Sequence, residues 1–387
     1  MIAASKEISS AETPAAAIPA SRVMIAAGGT GGHVYPGIAI ADRLRESNSE
    51  TDILFVGTRN RMEWETVPKA GYEIDSIWIS GIDRRITLRN LLFPLKLIVS
   101  LVQSFFIIRK FRPDVVVSCG GFASGPVGWV AAKLRIPLIL QEQNSYPGLT
   151  TRLLAKHATV IYTAFKEAAG HLDSEHVVLA GNPVRRDLTE ADRENARTRF
   201  GFHGERPVLL VMGGSGGARS INQAMLRHLS PLHNISGLQI IWQCGRRYYS
   251  ELKEQIGSKH LENLRLMEFI DDMPAAYAAA DLVVSRAGAI SCSELLETGT
   301  PAILVPSPNV AGDHQTENAA SLVGQGAAIS VRDNELEEKL FDLVNELIFD
   351  RNRLESMRRS AESASRPDAA DQIAHEISEL IKQRNGR

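Results

Sequence analysis

The sequence predicts an α/β protein built from two doubly wound parallel sheets. Three observations carry this. Short aliphatic, β-branched runs alternate with helical segments from residue 22 onward. The alternation restarts after the helix-breaking Gly-Asn-Pro at 181–183. Each half opens on the same device, an apolar strand followed by GGTGG or GGSGG and a helix, at Gly28 and at Gly213. The chain has 387 residues, enough for two to three domains at roughly 150 residues each. Its 44% hydrophobic and 23% charged residues exclude a disordered, collagenous or coiled-coil chain.

Residues 1–21 are rich in Ala, Ser and Pro and lack an apolar core, so they read as a disordered extension rather than a secretory signal. The first strand set is expected at 23–27, 52–57, 114–120, 137–142 and 159–164, with helices at 38–47 and 128–134 among others. The second set is expected at 206–212, 238–244, 264–269, 281–286 and 301–306. The linker places a boundary near 184, giving domains 22–184 and 185–366. Apolar residues at 370, 373, 377, 380 and 381 make 367–384 an amphipathic helix that packs on one of the two domains. Residues 91–108 are the most apolar stretch. Pro94, Lys96 and Gln103 interrupt it, leaving less than the roughly 20 residues a membrane span needs, so it reads as a buried or interfacial helix.

A glycine-rich loop between strand and helix presents backbone N–H groups at the positive end of the helix dipole and suits a phosphate. Neither loop is a Walker A, since no Lys-Ser or Lys-Thr follows. The alternative is a tight βα turn without ligand; two such loops, each opening a domain, favour a ligand. A third glycine stretch, 119–129, also follows a strand, and argues for a crevice at the strand carboxyl ends. His33 directly follows the first loop. A neutral imidazole there can take a proton from a hydroxyl, although a lone histidine is commonly structural. No D-x-D motif for a metal-bound nucleotide sugar occurs, nor H-E-x-x-H, an EF-hand or G-x-S-x-G. A leaving diphosphate would therefore be met by helix dipoles and arginine, with Arg185 and Arg219 as candidates, and no metal or cofactor is expected. Surface salt bridging is the alternative for both arginines. Cys119, Cys244 and Cys292 are odd in number and far apart, which argues against disulfides or a cysteine zinc site and fits a reducing cytoplasm. Lys+Arg total 43 against 45 Asp+Glu, so the overall charge does not point to nucleic acid.

The segments GGTGGHVYPGIAIA (28–41), GGFASGP (120–126), QEQN (141–144), GNPVR (181–185), GGSGGAR (213–219), FIDDM (269–273), SRAGAISCSELLETGTPAILVP (285–306) and DHQTENA (313–319) occur in this order. Together they resemble the MurG family of peptidoglycan glycosyltransferases over about residues 22–384. The resemblance implies a GT-B fold of two Rossmann-like domains with a cleft between, and metal-free inverting β-1,4 transfer of N-acetylglucosamine from its UDP donor to the 4-hydroxyl of lipid I, forming lipid II. It implies that the first domain takes the acceptor, the second takes the donor, and the last helix returns to the first. Ser215 and its loop would meet the diphosphate, with Arg185 near it. The backbone of Ile270 would read uracil, and Ala289, Ile290, Ser291, Cys292 and Ser293 would open a helix near the α-phosphate. Glu294 would hold the ribose hydroxyls and Gln315 the sugar hydroxyls. Asn144, Thr30, Gly31 and Gly32 would line the cleft from the acceptor side. Two departures stand out: the loop 307–315 is about one residue longer than in the family, which favours Gln315 over His314, and Phe122 replaces a common Tyr.

Lipid I carries a polyprenyl tail, so such an enzyme must reach a bilayer. Residues 78–112 carry Arg84, Arg85, Arg89, Lys96, Arg109, Lys110 and Arg112 against one acid, Asp83. Trp78, Ile79, Leu88, Leu91, Leu92, Phe93, Leu95 and Phe105 interleave with them, which reads as an interfacial helix on anionic lipid, and the resemblance implies peripheral attachment at the cytoplasmic face of the inner membrane. A core helix with a solvated rim is the alternative. The rival functions are a glycolipid synthase or UDP-sugar epimerase of the same fold, a nicotinamide-dependent oxidoreductase, and a non-catalytic nucleotide-binding scaffold. The oxidoreductase needs an acid roughly 20 residues past the loop at a strand end, and Glu50 and Asp52 lie before the strand.

Overall fold

The computed structural model describes residues 21–81, 91–257 and 262–385. Nearly all of the extension, together with Asp83, Arg84, Arg85, Leu88 and Arg89, lies outside them. The first sheet contains β1 (Arg22–Ala26), β2 (Asp52–Gly57), β3 (Glu73–Ser76), β4 (Val115–Ser118), β5 (Leu138–Glu142), β6 (Val160–Thr163) and β7 (Val177–Leu179). Their order is β3-β2-β1-β4-β5-β6-β7. The second contains β8 (Val208–Met212), β9 (Gln239–Gln243), β10 (Leu264–Met267), β11 (Leu282–Ser285), β12 (Ala302–Leu304) and β13 (Ala328–Ser330), in the order β10-β9-β8-β11-β12-β13. Every pairing is parallel, with Val23, for example, between Ile53 and Val115. Runs such as VVVS in β4 and VLLVM in β8 are buried throughout, as a sheet covered on both faces requires.

The helices are α1 (Gly31–Ser47), α2 (Glu63–Lys69), α3 (Phe93–Phe111), α4 (Ser124–Lys133), α5 (Leu149–Leu154), α6 (Arg193–Arg199), α7 (Arg219–His233), α8 (Arg246–Ile256), α9 (Met273–Ala279), α10 (Ala289–Glu297), α11 (His314–Gly324), α12 (Leu336–Leu347), α13 (Arg351–Ala364) and α14 (Ala369–Asn385). Helix α1 starts ahead of the expected 38, which brings His33 into its first turn. Pro36 lies inside it and forfeits only the bond to the Gly32 carbonyl. Helix α14 lays Ile373, Ala374, Ile377 and Ile381 into the core of the first sheet, beside Val23, Ile40 and Leu44.

Strand order reverses between β1 and β4 in one sheet and between β8 and β11 in the other. Ligand crevices form at such switch points, outside the strand carboxyl ends. The loops leaving β1, β4 and β8 are the three glycine-rich stretches of the sequence. They pack backbone on backbone: at Gly121 (φ +79°) a Cβ would lie 2.0 Å from the Gly28 carbonyl oxygen, and at Gly217 (φ +72°) 1.9 Å from that of Cys244.

Helix α3 packs one face on the first sheet's core, with Leu101, Ile107 and Phe111 against it, and leaves large apolar residues on the other face in the open. Ser100, Ser104 and Ile108 are buried, while Leu95, Ile98, Val102 and Phe106 are exposed. The two buried hydroxyls donate to backbone carbonyls of their own helix, at Leu97 and Ser100. Among the described residues no helix is long and apolar enough to cross a membrane.

Candidate functional site

His33 Nδ1 lies 2.8 Å from Gln143 Oε1, just past the end of β5. Gly120 makes room for the ring, since a Cβ there would fall 2.9 Å from Nδ1. Beneath the first loop sits Glu63, fully buried. It accepts from the Gly29 amide (3.1 Å) and from the Thr58 amide and hydroxyl (3.1 and 2.7 Å). The loop is therefore pinned by a carboxylate, and the Gly29 N–H is spent on it. Sequence reasoning found His33 but passed over Gln143 and Glu63. Gln143 lies inside the QEQN motif, one residue from the Asn144 that was singled out; Glu63 had no local signal.

Three helices face the switch points with uncapped N-termini. The residues preceding α1, α7 and α10 are Thr30, Ala218 and Gly288; none makes a side-chain cap, and no acid occupies any of the three first turns. The N–H groups that Gly31 and Gly32 bring to α1, and Ala289, Ile290 and Ser291 to α10, are the unspent donors of such a turn. Ser215 is exposed on its loop, and the Gly214 and Gly216 beside it face open space. Cys292 does not fit its expected place. Its thiol is fully buried, with burial pushing its pKa up to about 12, and its N–H is bonded to the Gly288 carbonyl at 2.8 Å. It offers a ligand nothing.

Glu294 Oε2 accepts from the Tyr277 hydroxyl at 2.9 Å, and no described residue engages the other oxygen. Burial raises its pKa above the usual carboxylate range, against the opposing pull of Tyr277 and Arg185. Burial and the neighbouring Glu294 in turn hold Tyr277 well above its ordinary range. Arg185 is exposed and reaches Asp187 only at 3.9 Å. Ile270 is buried, yet its backbone amide and carbonyl have no partner among the described residues, so both can read a planar base edge. Gln315 gives its oxygen to the Ser307 amide at 2.8 Å, leaving its NH₂ to donate. Asn144 is committed: it donates to Glu142 Oε1 from amide and side chain (3.0 and 3.2 Å) and accepts from Asn318 at 3.3 Å. Ser145 reaches the same Asn318 at 2.9 Å, so this loop shapes the contact between the two halves. No cluster of three His, Cys, Asp or Glu suited to a metal occurs among the described residues.

Family models described as the N-terminal and C-terminal domains of glycosyltransferase family 28 match residues 23–163 and 208–373. A protein of Salinibacter ruber is 46% identical over 358 residues, covering 92% of this chain and 96% of its own. One of Flavobacterium psychrophilum is 43% identical, covering 93% and 98%. Both carry the name UDP-N-acetylglucosamine--N-acetylmuramyl-(pentapeptide) pyrophosphoryl-undecaprenol N-acetylglucosamine transferase. The crystal structure of Acinetobacter baumannii MurG superposes with a TM-score of 0.73 at 27% identity, covering 94% of this chain and all of that one. A UDP-GlcNAc 2-epimerase from Neisseria meningitidis shares the fold at 14% identity, with a TM-score of 0.64 and 92% and 98% coverage.

Proposed function

The chain belongs to glycosyltransferase family 28, among the transferases that carry N-acetylglucosamine to pyrophosphoryl-undecaprenol N-acetylmuramyl-pentapeptide, and from that premise we propose how its residues divide the reaction. UDP-N-acetylglucosamine is its donor, the lipid-linked muramyl pentapeptide its acceptor, and lipid II its product. Residues 22–184 with helix 367–384 take the acceptor, and 185–366 take the donor. The muramyl 4-hydroxyl attacks the anomeric carbon while His33 Nε2 removes its proton. The bond from that carbon to the diphosphate breaks, and UDP leaves with the electron pair. Inversion follows from this single displacement. The N-termini of α7 and α10, with Ser215 and Arg185, receive the diphosphate charge.

The observation that carries this reading is His33, held by Gln143 at one switch point, with two uncapped helix N-termini at the other. UDP release from UDP-N-acetylglucosamine, measured in EDTA with and without a short-chain lipid I analogue, tests it. Release that needs the acceptor and survives EDTA is expected. Acceptor-independent release, or abolition by EDTA, overturns it.

Glu294 holds the ribose diol, which donates to an ionised carboxylate. Donor binding is therefore full above the raised Glu294 pKa and weakens as pH falls through it. That limb lies above the ordinary glutamate value of about 4.3. Donor KM measured against pH should show the limb in the native enzyme and lack it in Glu294→Gln. Glu294→Ala should raise donor KM at every pH; an unchanged KM removes the ribose role.

The outward face of α3 meets the cytoplasmic surface of the inner membrane, and the protein is peripheral. Trp78, Trp129, Leu149 and Leu153 add exposed apolar area nearby. Lys96 and Lys133 sit over the Trp78 and Trp129 rings at 5.8 and 4.5 Å, placing cations beside rings that favour an interface. An apolar side chain withdrawn from water contributes roughly 1.5–3 kcal/mol. Ile98→Glu or Phe106→Glu should thus weaken sedimentation with anionic vesicles by roughly ten- to a hundredfold, leaving turnover of a water-soluble acceptor intact. Unchanged sedimentation refutes this face.

A further inference from the structure

A buried row of amides leads away from His33. Gln141 is fully buried, and Gln143 and Asn182 are 1% and 3% exposed. Each amide has its orientation forced. Gln143 Nε2 meets only acceptors: the carbonyl oxygens of Cys119 (2.8 Å) and Gln141 (2.9 Å), and Gln141 Oε1. Turned over, it would aim an oxygen at three oxygens. Its Oε1 therefore faces His33, and Nδ1 must be the donor across that 2.8 Å contact. A neutral imidazole has one N–H; with the proton on Nδ1, the lone pair is on Nε2.

The same logic continues outward. Gln141 Oε1 is taken by Gln143, so its Nε2 donates to Asn182 Oδ1 at 3.0 Å. Asn182 Nδ2 donates to Ser293 Oγ at 2.9 Å and back to the Gln143 carbonyl at 3.1 Å. Ser293 belongs to α10, and Asn182 to the Gly-Asn-Pro linker, so the row passes from one sheet's machinery to the other's. No member carries a charge, which is how such a row stays buried at low cost, and aligned donors strengthen one another.

We propose that Gln143, Gln141 and Asn182 are positioning residues: a directional hydrogen-bond row that holds His33 as its Nδ1–H tautomer, Nε2 bare, and ties it to Ser293 on the donor helix. This rests on His33 as the base. The far end of the row, Ser293, is supplied by the other half.

The test is the two-bond ¹H–¹⁵N spectrum of the full chain with ¹⁵N-histidine, His33 being assigned by its loss in His33→Gln. The native enzyme should show His33 protonated on Nδ1. In Gln143→Leu, which keeps the volume but removes the acceptor, that preference should vanish. Its kcat should drop at least roughly tenfold, with donor KM within about twofold because the donor contacts are untouched. Asn182→Leu, which touches neither His33 nor its direct partner's acceptor oxygen, should blur the same signals. A native spectrum with the proton on Nε2 overturns the proposal and decides the matter even if Gln143→Leu unfolds. An unchanged tautomer in a folded Gln143→Leu overturns it equally. Should His33→Gln keep full turnover while the native spectrum shows Nδ1–H, the row stands and the base assignment falls.

Discussion

His33→Ala lowers kcat by roughly 10²–10⁴, the span that a positioned general base contributes. Donor KM should scarcely move, because the histidine belongs to the first sheet's loop and the donor contacts to the second. Stability should fall by about 1–3 kcal/mol, the cost of leaving the buried amide oxygen of Gln143 unpaired. Thermal melting, donor titration and steady-state rates on one preparation separate these effects. A loss below about tenfold, with the protein folded and the donor bound, would remove His33 from the chemistry.

Gly217→Ala acts by a different route, with a comparable effect. The residue has φ +72°, a region that costs an alanine about 1–2 kcal/mol, and its new methyl would sit 1.9 Å from the Cys244 oxygen and 2.7 Å from its carbonyl carbon. Both neighbours are backbone, so neither can rotate away. The second glycine loop must then lift off the end of β9, and displacement near 1 Å in a positioning element can cost about 10²-fold. UDP affinity should collapse by roughly that factor, with a stability loss of about 2–4 kcal/mol. Gly216→Ala is the control for strain: it meets nothing within 4 Å, so its melting temperature should match the native one. A Gly217→Ala protein with native melting and native UDP affinity would show that the loop's backbone fit is unimportant.

Much of the fold was legible because buried parallel strands must be continuously aliphatic. The strands overlooked, β3, β7 and β13, are all sheet edges. Strand β3, Glu-Ile-Asp-Ser, pairs on one side only and keeps partly exposed polar positions, so no apolar run marks it, while Val-Val-Leu of β7 and Ala-Ile-Ser of β13 are apolar but only three residues long. The site was legible where it needs a peculiar backbone, hence the glycine loops, and where a residue type is rare in that place, hence His33. The supporting polar residues were not. Glu63, Gln141 and Asn182 are ordinary residues whose importance comes from partners 34, 2 and 111 positions away, at Gly29, Gln143 and Ser293, and one sequence carries no trace of such pairings. Helix α1 begins seven residues ahead of the expected 38, because Pro36 in the sixth position forfeits one bond and the helix runs through it.

The chain passes between its halves twice, once after β7 and once between α13 and α14, and the two crossings touch. At Gly181 (φ +94°) a Cβ would fall 2.4 Å from the Cβ of Arg366. A body hung from one thread can swing on a cone, whereas one hung from two adjoining threads turns about a pivot where they meet. Any rotation of one half against the other is thereby concentrated at Gly181 and Arg366, and a bulky residue at 181 would jam it. A protease cut at 365–368 would leave the halves covalently joined by the first crossing, and one at 181–185 would leave them held by the packing of α14 on the first sheet. The molecule is thus mechanically a clasp with a doubled hinge pin.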